Sequence, residues 1–100
     1  MAWFLVLSKG PGDPMLRERH ITAHQDWLDG QHRAGRILFS GPSGDRQYGL
    51  YVIAADDLDA ATSLAGQDPY HANGVRQPTV MQWDVRRFGH LDGQLESLLA

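Results

Sequence analysis

Residues 2–14, Ala-Trp-Phe-Leu-Val-Leu-Ser-Lys-Gly-Pro-Gly-Asp-Pro, decide the fold class of this chain. The first seven are apolar, aromatic or β-branched almost without interruption, which is typical of a largely buried β-strand. The Gly-Pro-Gly that follows ends the strand. Asp13 and Pro14 are the residue types favoured at the N-cap and the first position of an α-helix. We therefore expect a central strand over Ala2–Ser8 and then a helix from Pro14 to about His32.

Three further strands are expected downstream. Arg36–Ser40 and Gln47–Ala54 are predicted to form a hairpin, because Gly41-Pro-Ser-Gly-Asp45 between them is a cluster of turn-forming residues. Thr79–Phe88 alternates between a more apolar and a more polar side, which is typical of a strand.

A second helix is expected between the last two strands. Its apolar residues recur at spacings of three and four from Leu58 to Ala65, Asp56 is its expected N-cap, and Gly66 ends it. We interpret Gln67–Gly74 as a loop that can hold one helical turn. Beyond Gly89 the leucines predict a short helical tail.

The predicted order β-α-β-β-α-β is the split βαβ or ferredoxin-like pattern of the α+β class. In it, two helices cover one face of an antiparallel sheet, and residues 1–100 are expected to form a single domain. The other face needs a cover. If Trp3, Tyr48, Tyr51 and Trp83 contribute to that face, dimerisation through the sheets would bury it, and we expect a homodimer.

Charge and residue usage exclude several classes of partner. The sequence has 9 Lys and Arg against 12 Asp and Glu, and Arg86-Arg87 is its only close basic cluster, so nucleic-acid binding is not expected. The absence of cysteine excludes disulfides and thiolate metal sites. The apolar stretch Ala2–Leu7 is too short to span a membrane and lacks the features of a signal peptide. We expect a cytoplasmic protein with no membrane partner.

His24 and Asp68 are the candidate catalytic pair. Among the five histidines, His24 shares a half-buried helical stripe with Ile21 and Leu28, where an imidazole needs a hydrogen-bond partner. Asp68 lies in the predicted loop Gln67–Gly74, and a bond from it to one ring nitrogen would leave the other nitrogen free to take a proton. The alternative is structural, with His24 bonded to backbone and Asp68 opening a turn.

Other site chemistries have weaker support in the sequence. His20 and His24 share a helical face as two zinc ligands would, but a third ligand and an HExxH-type glutamate are absent from the pattern. Ser40 and Ser43 lack the G-x-S-x-G motif of a serine hydrolase. Gly41-Pro-Ser-Gly44 lacks the P-loop lysine and joins two strands. No metal or cofactor is expected.

Several of these residues, in this order, resemble the YCII-related (YciI-like) family over residues 2 to about 88. The residues that carry the resemblance are His24, Trp27-Leu28, Ala34-Gly35-Arg36-Ile37-Leu38, Ser40-Gly41-Pro42, Asp68-Pro69-Tyr70 and Gly74-Val75. The resemblance implies a dimeric α+β barrel related to muconolactone isomerases, with a pocket that contains a His and an Asp. Gln25 departs from the pattern, because a leucine commonly follows the histidine, and the tail 89–100 lies outside it.

These observations lead to two functional hypotheses. The first is a small enzyme that uses His24 as a general base, oriented by Asp68, for proton abstraction, elimination or isomerisation on a cyclic or aromatic-derived compound. The resemblance implies one example of such a reaction, because a relative in the family is a dehydrochlorinase of a chlorinated hydroxyhydroquinone. The second is a ligand-binding or accessory protein without turnover. In both, the residues expected to shape the pocket are Arg17, Ser40, Gly41, Pro42 and Tyr70.

Overall fold

A computed structural model of the chain describes residues 1–10 and 12–87. Its four strands form one antiparallel sheet in the order β2-β3-β1-β4, which confirms the ferredoxin-like α+β class. The predicted tail lies outside the described residues. The elements are β1 (Ala2–Lys9), α1 (Pro14–Arg33), β2 (Ile37–Pro42), β3 (Tyr48–Ala55), α2 (Leu58–Gly66), α3 (Pro69–Ala72) and β4 (Gln77–Gln82).

The core lies between the sheet and the two longer helices. β1 is central, and Val6 pairs with Tyr51 of β3 on one side and with Val80 of β4 on the other. Because side chains alternate along a strand, Phe4, Val6 and Ser8 all point toward the helices. Residues from both helices pack on this face, so the helices cover the same side of the sheet. The buried core consists of Phe4, Val6, Ile37, Tyr51, Ile53, Ala61 and Ala65.

Helix α1 covers the sheet loosely. Its N-cap is Asp13, as predicted, with the side chain accepting a hydrogen bond from the Met15 N–H at 2.9 Å. Trp27 and Leu28 pack against the core, yet no residue of α1 is fully buried. The space left between α1 and the sheet becomes the candidate site.

The structure corrects two strand boundaries. β4 ends at Gln82 and not at Phe88. The two strands are antiparallel, so each further residue of β4 pairs with an earlier residue of β1. The Trp83 N–H already bonds to the carbonyl of Trp3, near the beginning of β1, so β4 has no partner beyond this point in the described part of the chain. β2 continues to Pro42, so Gly41 and Pro42 belong to the strand and not to the turn. Proline is compatible with this position because β2 is an edge strand.

Two further residues differ from expectation. Asp57, and not Asp56, is the N-cap of α2, since its carboxylate accepts from the Ala60 N–H at 2.8 Å. Tyr51 does not belong to the open face of the sheet. It pairs with Val6, shares that residue's inward orientation, and is buried against the helices.

The outer face of the sheet remains open. The rings of Trp3 and Phe39 lie 6.4 Å apart there, and Phe39, Met81 and Trp83 are exposed. The dimer that would cover this face stays a prediction. Among the described residues, no helix has both the length and the apolar character needed to cross a bilayer.

Candidate functional site

A cavity of about 170 Å³ opens between residues 17–28 of α1 and the sheet. Six of the seven predicted site residues line it, and the seventh, Asp68, lies directly behind His24. The structure thus brings together residues from α1, the end of β2 and the segment around α3. Those that line the cavity are Ser8, Arg17, Ile21, His24, Gln25, Leu28, Ser40, Gly41, Pro42, Gly49, Leu50, Tyr51, Tyr70 and Arg76.

His24 and Asp68 form a hydrogen-bonded pair across 44 residues of sequence. Nδ1 of His24 lies 2.7 Å from Oδ1 of Asp68. The Asp68 side chain is fully buried, whereas the His24 side chain is 15% exposed. An ionised carboxylate can only accept, so the bond places the ring proton on Nδ1. Nε2 has no hydrogen-bond partner among the described residues, which leaves it available to a molecule in the cavity.

Three donors satisfy the Asp68 carboxylate. Besides His24, the Tyr51 hydroxyl donates to Oδ2 at 3.1 Å and the Tyr70 N–H donates to Oδ1 at 2.9 Å. The last bond is the N-cap of α3, so Asp68 has the predicted structural role as well as the contact with His24. Burial opposes ionisation, but the hydrogen bond and charge of His24 and the Tyr70 N–H outweigh it and lower the pKa of Asp68. The carboxylate is therefore held in its charged form.

Tyr51 donates to this carboxylate from the core. Burial, together with the negative charge and hydrogen bond of Asp68, raises the pKa of Tyr51 above its ordinary value. The phenol therefore keeps its proton and acts as a donor.

Tyr70 forms one wall beside the histidine. Its ring stacks on that of His24 with centroids 3.9 Å apart and an angle of 8° between the planes. The Arg76 guanidinium lies 5.3 Å from the centre of the same Tyr70 ring. Tyr70 thus contacts both His24 and Arg76, and all three residues line the cavity.

A second hydrogen-bonded pair, Ser8 and His71, lies on the β1 side. Nδ1 of His71 lies 2.7 Å from the Ala65 carbonyl, which can only accept, so this nitrogen carries a proton. In the neutral ring Nε2 is then an acceptor, and the Ser8 hydroxyl donates to it at 2.6 Å. Because Ser8 lines the cavity, its remaining lone pairs can accept a bond from a ligand.

Sequence reasoning missed four residues of the site. Ser8 and Tyr51 carried a usable signal, because they share the inward side of their strands with Val6 and Ile53. A buried serine on a core strand indicates a polar neighbour opposite it. His71 and Arg76 follow turn-forming residues without a periodic pattern, and only tertiary packing directs them inward.

The remaining candidates lie apart from the pair. His20 does not line the cavity, and no group of three metal-ligating side chains occurs within residues 1–10 and 12–87. The Ser40 hydroxyl, at the cavity rim, lies 2.7 Å from Nε2 of His32. Ser43 belongs to the following turn, where it bonds Asp45 at 2.6 Å.

Comparison with known proteins agrees with this fold. The model of the YCII-related domain matches residues 1–84, and the chain belongs to that family. This confirms the resemblance seen in the sequence. The uncharacterized protein YjpA of Bacillus subtilis (strain 168) is 31% identical over 70 residues, which are 70% of this chain and 82% of YjpA.

A solved structure shares the fold. It is 5-chloro-2-hydroxyhydroquinone dehydrochlorinase (TftG) from Burkholderia phenoliruptrix AC1100 in complex with 2,5-dihydroxybenzoquinone. The similarity has a TM-score of 0.68 at 22% sequence identity and covers 82% of this chain and 93% of the other.

Proposed function

We propose that this protein is a small enzyme that removes a proton from a cyclic or aromatic-derived compound, which leads to elimination or isomerisation. The observation that carries the proposal is the 2.7 Å bond between His24 Nδ1 and the buried Asp68 carboxylate, with Nε2 left free at a cavity. A base needs this combination of a fixed tautomer and an open nitrogen.

In the proposed reaction Nε2 of His24 accepts the substrate proton. The electron pair of the broken bond forms a new double bond, and either a leaving group departs from the neighbouring carbon or the proton returns at another position. The Asp68 carboxylate stabilises the imidazolium formed in this step without taking its proton. Arg17, Ser40, Gly41, Pro42 and Tyr70 are proposed to hold the substrate.

Elimination is the first reaction to test, because TftG, a solved structure with this fold, is a dehydrochlorinase. Chloride release from 5-chloro-2-hydroxyhydroquinone should be followed with wild type, His24→Gln and Asp68→Asn. We expect His24→Gln to lower kcat by about 100-fold or more, the usual contribution of a general base. Asp68→Asn removes the acceptor that fixes the ring proton on Nδ1 of His24, so it should also lower kcat.

His20→Gln is the matched control, since it changes a histidine one turn earlier on α1 that does not line the cavity. It should keep the wild-type rate. Full activity in His24→Gln with an intact fold would refute the role of His24 as the base, and absence of turnover in the wild type would refute this substrate.

The alternative function is binding of a small ligand without turnover. Asp68 also caps α3 and accepts a hydrogen bond from the Tyr51 hydroxyl. These structural contacts alone would account for a carboxylate at residue 68, which favours the alternative. Calorimetric binding of 2,5-dihydroxybenzoquinone, unaccompanied by any turnover of the chlorinated compound, would support this alternative.

We also propose that the protein acts as a homodimer formed through the open face of the sheet. Trp3, Phe39, Met81 and Trp83 expose apolar surface there, and an apolar face of this kind on a small domain is commonly buried by association. Nucleic acid and membranes are not proposed as partners.

A further inference from the structure

We infer that the molecule bound in the cavity is a planar ring compound carrying a negative group, a carboxylate or an ionised hydroxyl, and that Arg76 holds this group with support from Arg17. The inference rests on the proposed function in that it concerns the same cavity. It adds the charge of the ligand and a binding residue that the sequence analysis did not find.

Arg76 carries a buried positive charge. The residue is 8% exposed, and its Nε is buried without a hydrogen-bond partner. In the part of the chain that the structure describes, its guanidinium has no salt bridge to an acidic side chain. Burying a charge is costly unless it is paired. The side chain nevertheless lines the cavity, where a ligand can reach it.

The surrounding charges favour an anion at this position. Burial and the neighbouring charge of Arg17 both lower the pKa of Arg76, with burial the larger cause. Asp68 is the carboxylate whose charge acts on Arg76, but it accepts its hydrogen bonds from His24, Tyr51 and the Tyr70 N–H. With two arginines and one carboxylate, the site keeps an excess positive charge that a singly charged ligand would neutralise.

The packing around Arg76 holds its guanidinium in a defined place. A Cβ at Gly49 would lie 2.5 Å from Nη1 of Arg76, so the absence of a side chain at residue 49 makes room for the cation. On another side lies the Tyr70 ring, itself stacked on His24. A planar guanidinium can bind the two oxygens of a carboxylate, and the aromatic wall suits a flat ring attached to that group.

The test compares benzoate with benzamide, which has the same shape but no charge. Both are titrated at about pH 8, where an ordinary imidazole is neutral, while NMR follows the Nε–H signal of Arg76. We expect benzoate to shift this signal saturably and to bind at least about tenfold more tightly than benzamide, the difference expected for a hydrogen bond to a charged group.

Two variants test the role of Arg76 in different ways. Arg76→Gln removes the charge and should weaken benzoate binding by about tenfold or more. Gly49→Ala keeps the charge but places a methyl group where Nη1 now lies, and residue 49 has no left-handed backbone angle that alanine would strain. It should weaken binding in the same direction even if Arg76→Gln fails to fold. Arg17→Gln should cause a smaller loss, because Arg17 is exposed.

The matched controls are Arg19→Gln and Gly44→Ala. Arg19 is an exposed residue of α1 that does not line the cavity, and a Cβ at Gly44 meets no atom within 4 Å. Both should bind benzoate within about twofold of wild type.

Equal binding of benzoate and benzamide, or no detectable benzoate binding, would overturn the inference. So would unchanged binding in both Arg76→Gln and Gly49→Ala. His24→Gln separates this inference from the proposed function, because it should lose turnover and keep benzoate binding. If the chlorinated compound is not turned over but benzoate binds through Arg76, the inference stands and the proposed reaction fails.

Discussion

Asp68 combines a structural and a chemical contact in one side chain. It caps α3 through the Tyr70 N–H, accepts from the Tyr51 hydroxyl and orients His24. A buried carboxylate requires several donors, and each donor lost leaves charge unsatisfied. The pair therefore depends on Tyr51 and Tyr70 as well as on its own hydrogen bond.

Tyr51→Phe tests this dependence. The variant keeps the ring in the core but removes the donor to Asp68 Oδ2, so we expect a loss of about 1.5 to 3 kcal/mol in the free energy of unfolding, the range for hydrogen bonds to charged groups. Urea denaturation measures it. Tyr48→Phe is the control, because Tyr48 is exposed and its hydroxyl makes no hydrogen bond to a described residue. Equal stability of the two variants would show that the Tyr51 hydroxyl contributes little.

At the scale of elements, the boundary of α2 depends on which of two adjacent aspartates caps it. Asp57→Ala removes the bond to the Ala60 N–H and should cost about 1 kcal/mol, the usual effect of an N-cap deletion. Asp56→Ala should leave the stability nearly unchanged. Thermal unfolding of the two variants checks the difference, and a larger loss in Asp56→Ala would contradict the assignment.

Asp56 and Asp57 also show which features of the helices and strands can be predicted from the sequence. Local patterns predicted the strand β1, the cap and length of α1 and the order of the elements along the chain, because these follow from periodicity and turn-forming residues. They could not choose between Asp56 and Asp57, which are chemically identical and adjacent. They also could not predict the end of β4, because that end depends on where its pairing partner β1 begins.

Sequence patterns likewise identify some residues of the candidate site and not others. His24 was found through its position on a half-buried stripe, and Asp68 through its loop. Sequence patterns do not identify Arg76 as a site residue, because a single arginine after a loop is normally exposed to solvent. Only the fold shows that Gly49 and Tyr70 enclose it.

At the scale of the whole molecule, the open face of the sheet determines the expected assembly. Met81→Glu places a charge on this face, and we expect it to shift the protein from dimer to monomer in sedimentation equilibrium. Met15→Glu is the matched control, because Met15 is a 74% exposed methionine on α1, whereas Met81 is 43% exposed on the sheet. A monomeric wild type would refute the proposed dimer, and a dimeric Met81→Glu would place its interface elsewhere.

The central place of β1 in the sheet has a consequence for how the protein is made. Its two neighbours, β3 and β4, begin at Tyr48 and Gln77, so the ribosome has to translate much of the chain before this apolar strand can be paired. At about 5 to 20 residues per second the delay lasts seconds. This apolar strand therefore leaves the ribosome before either of the strands that pair with it, and we expect recombinant yield to depend on how well it is protected from aggregation during translation.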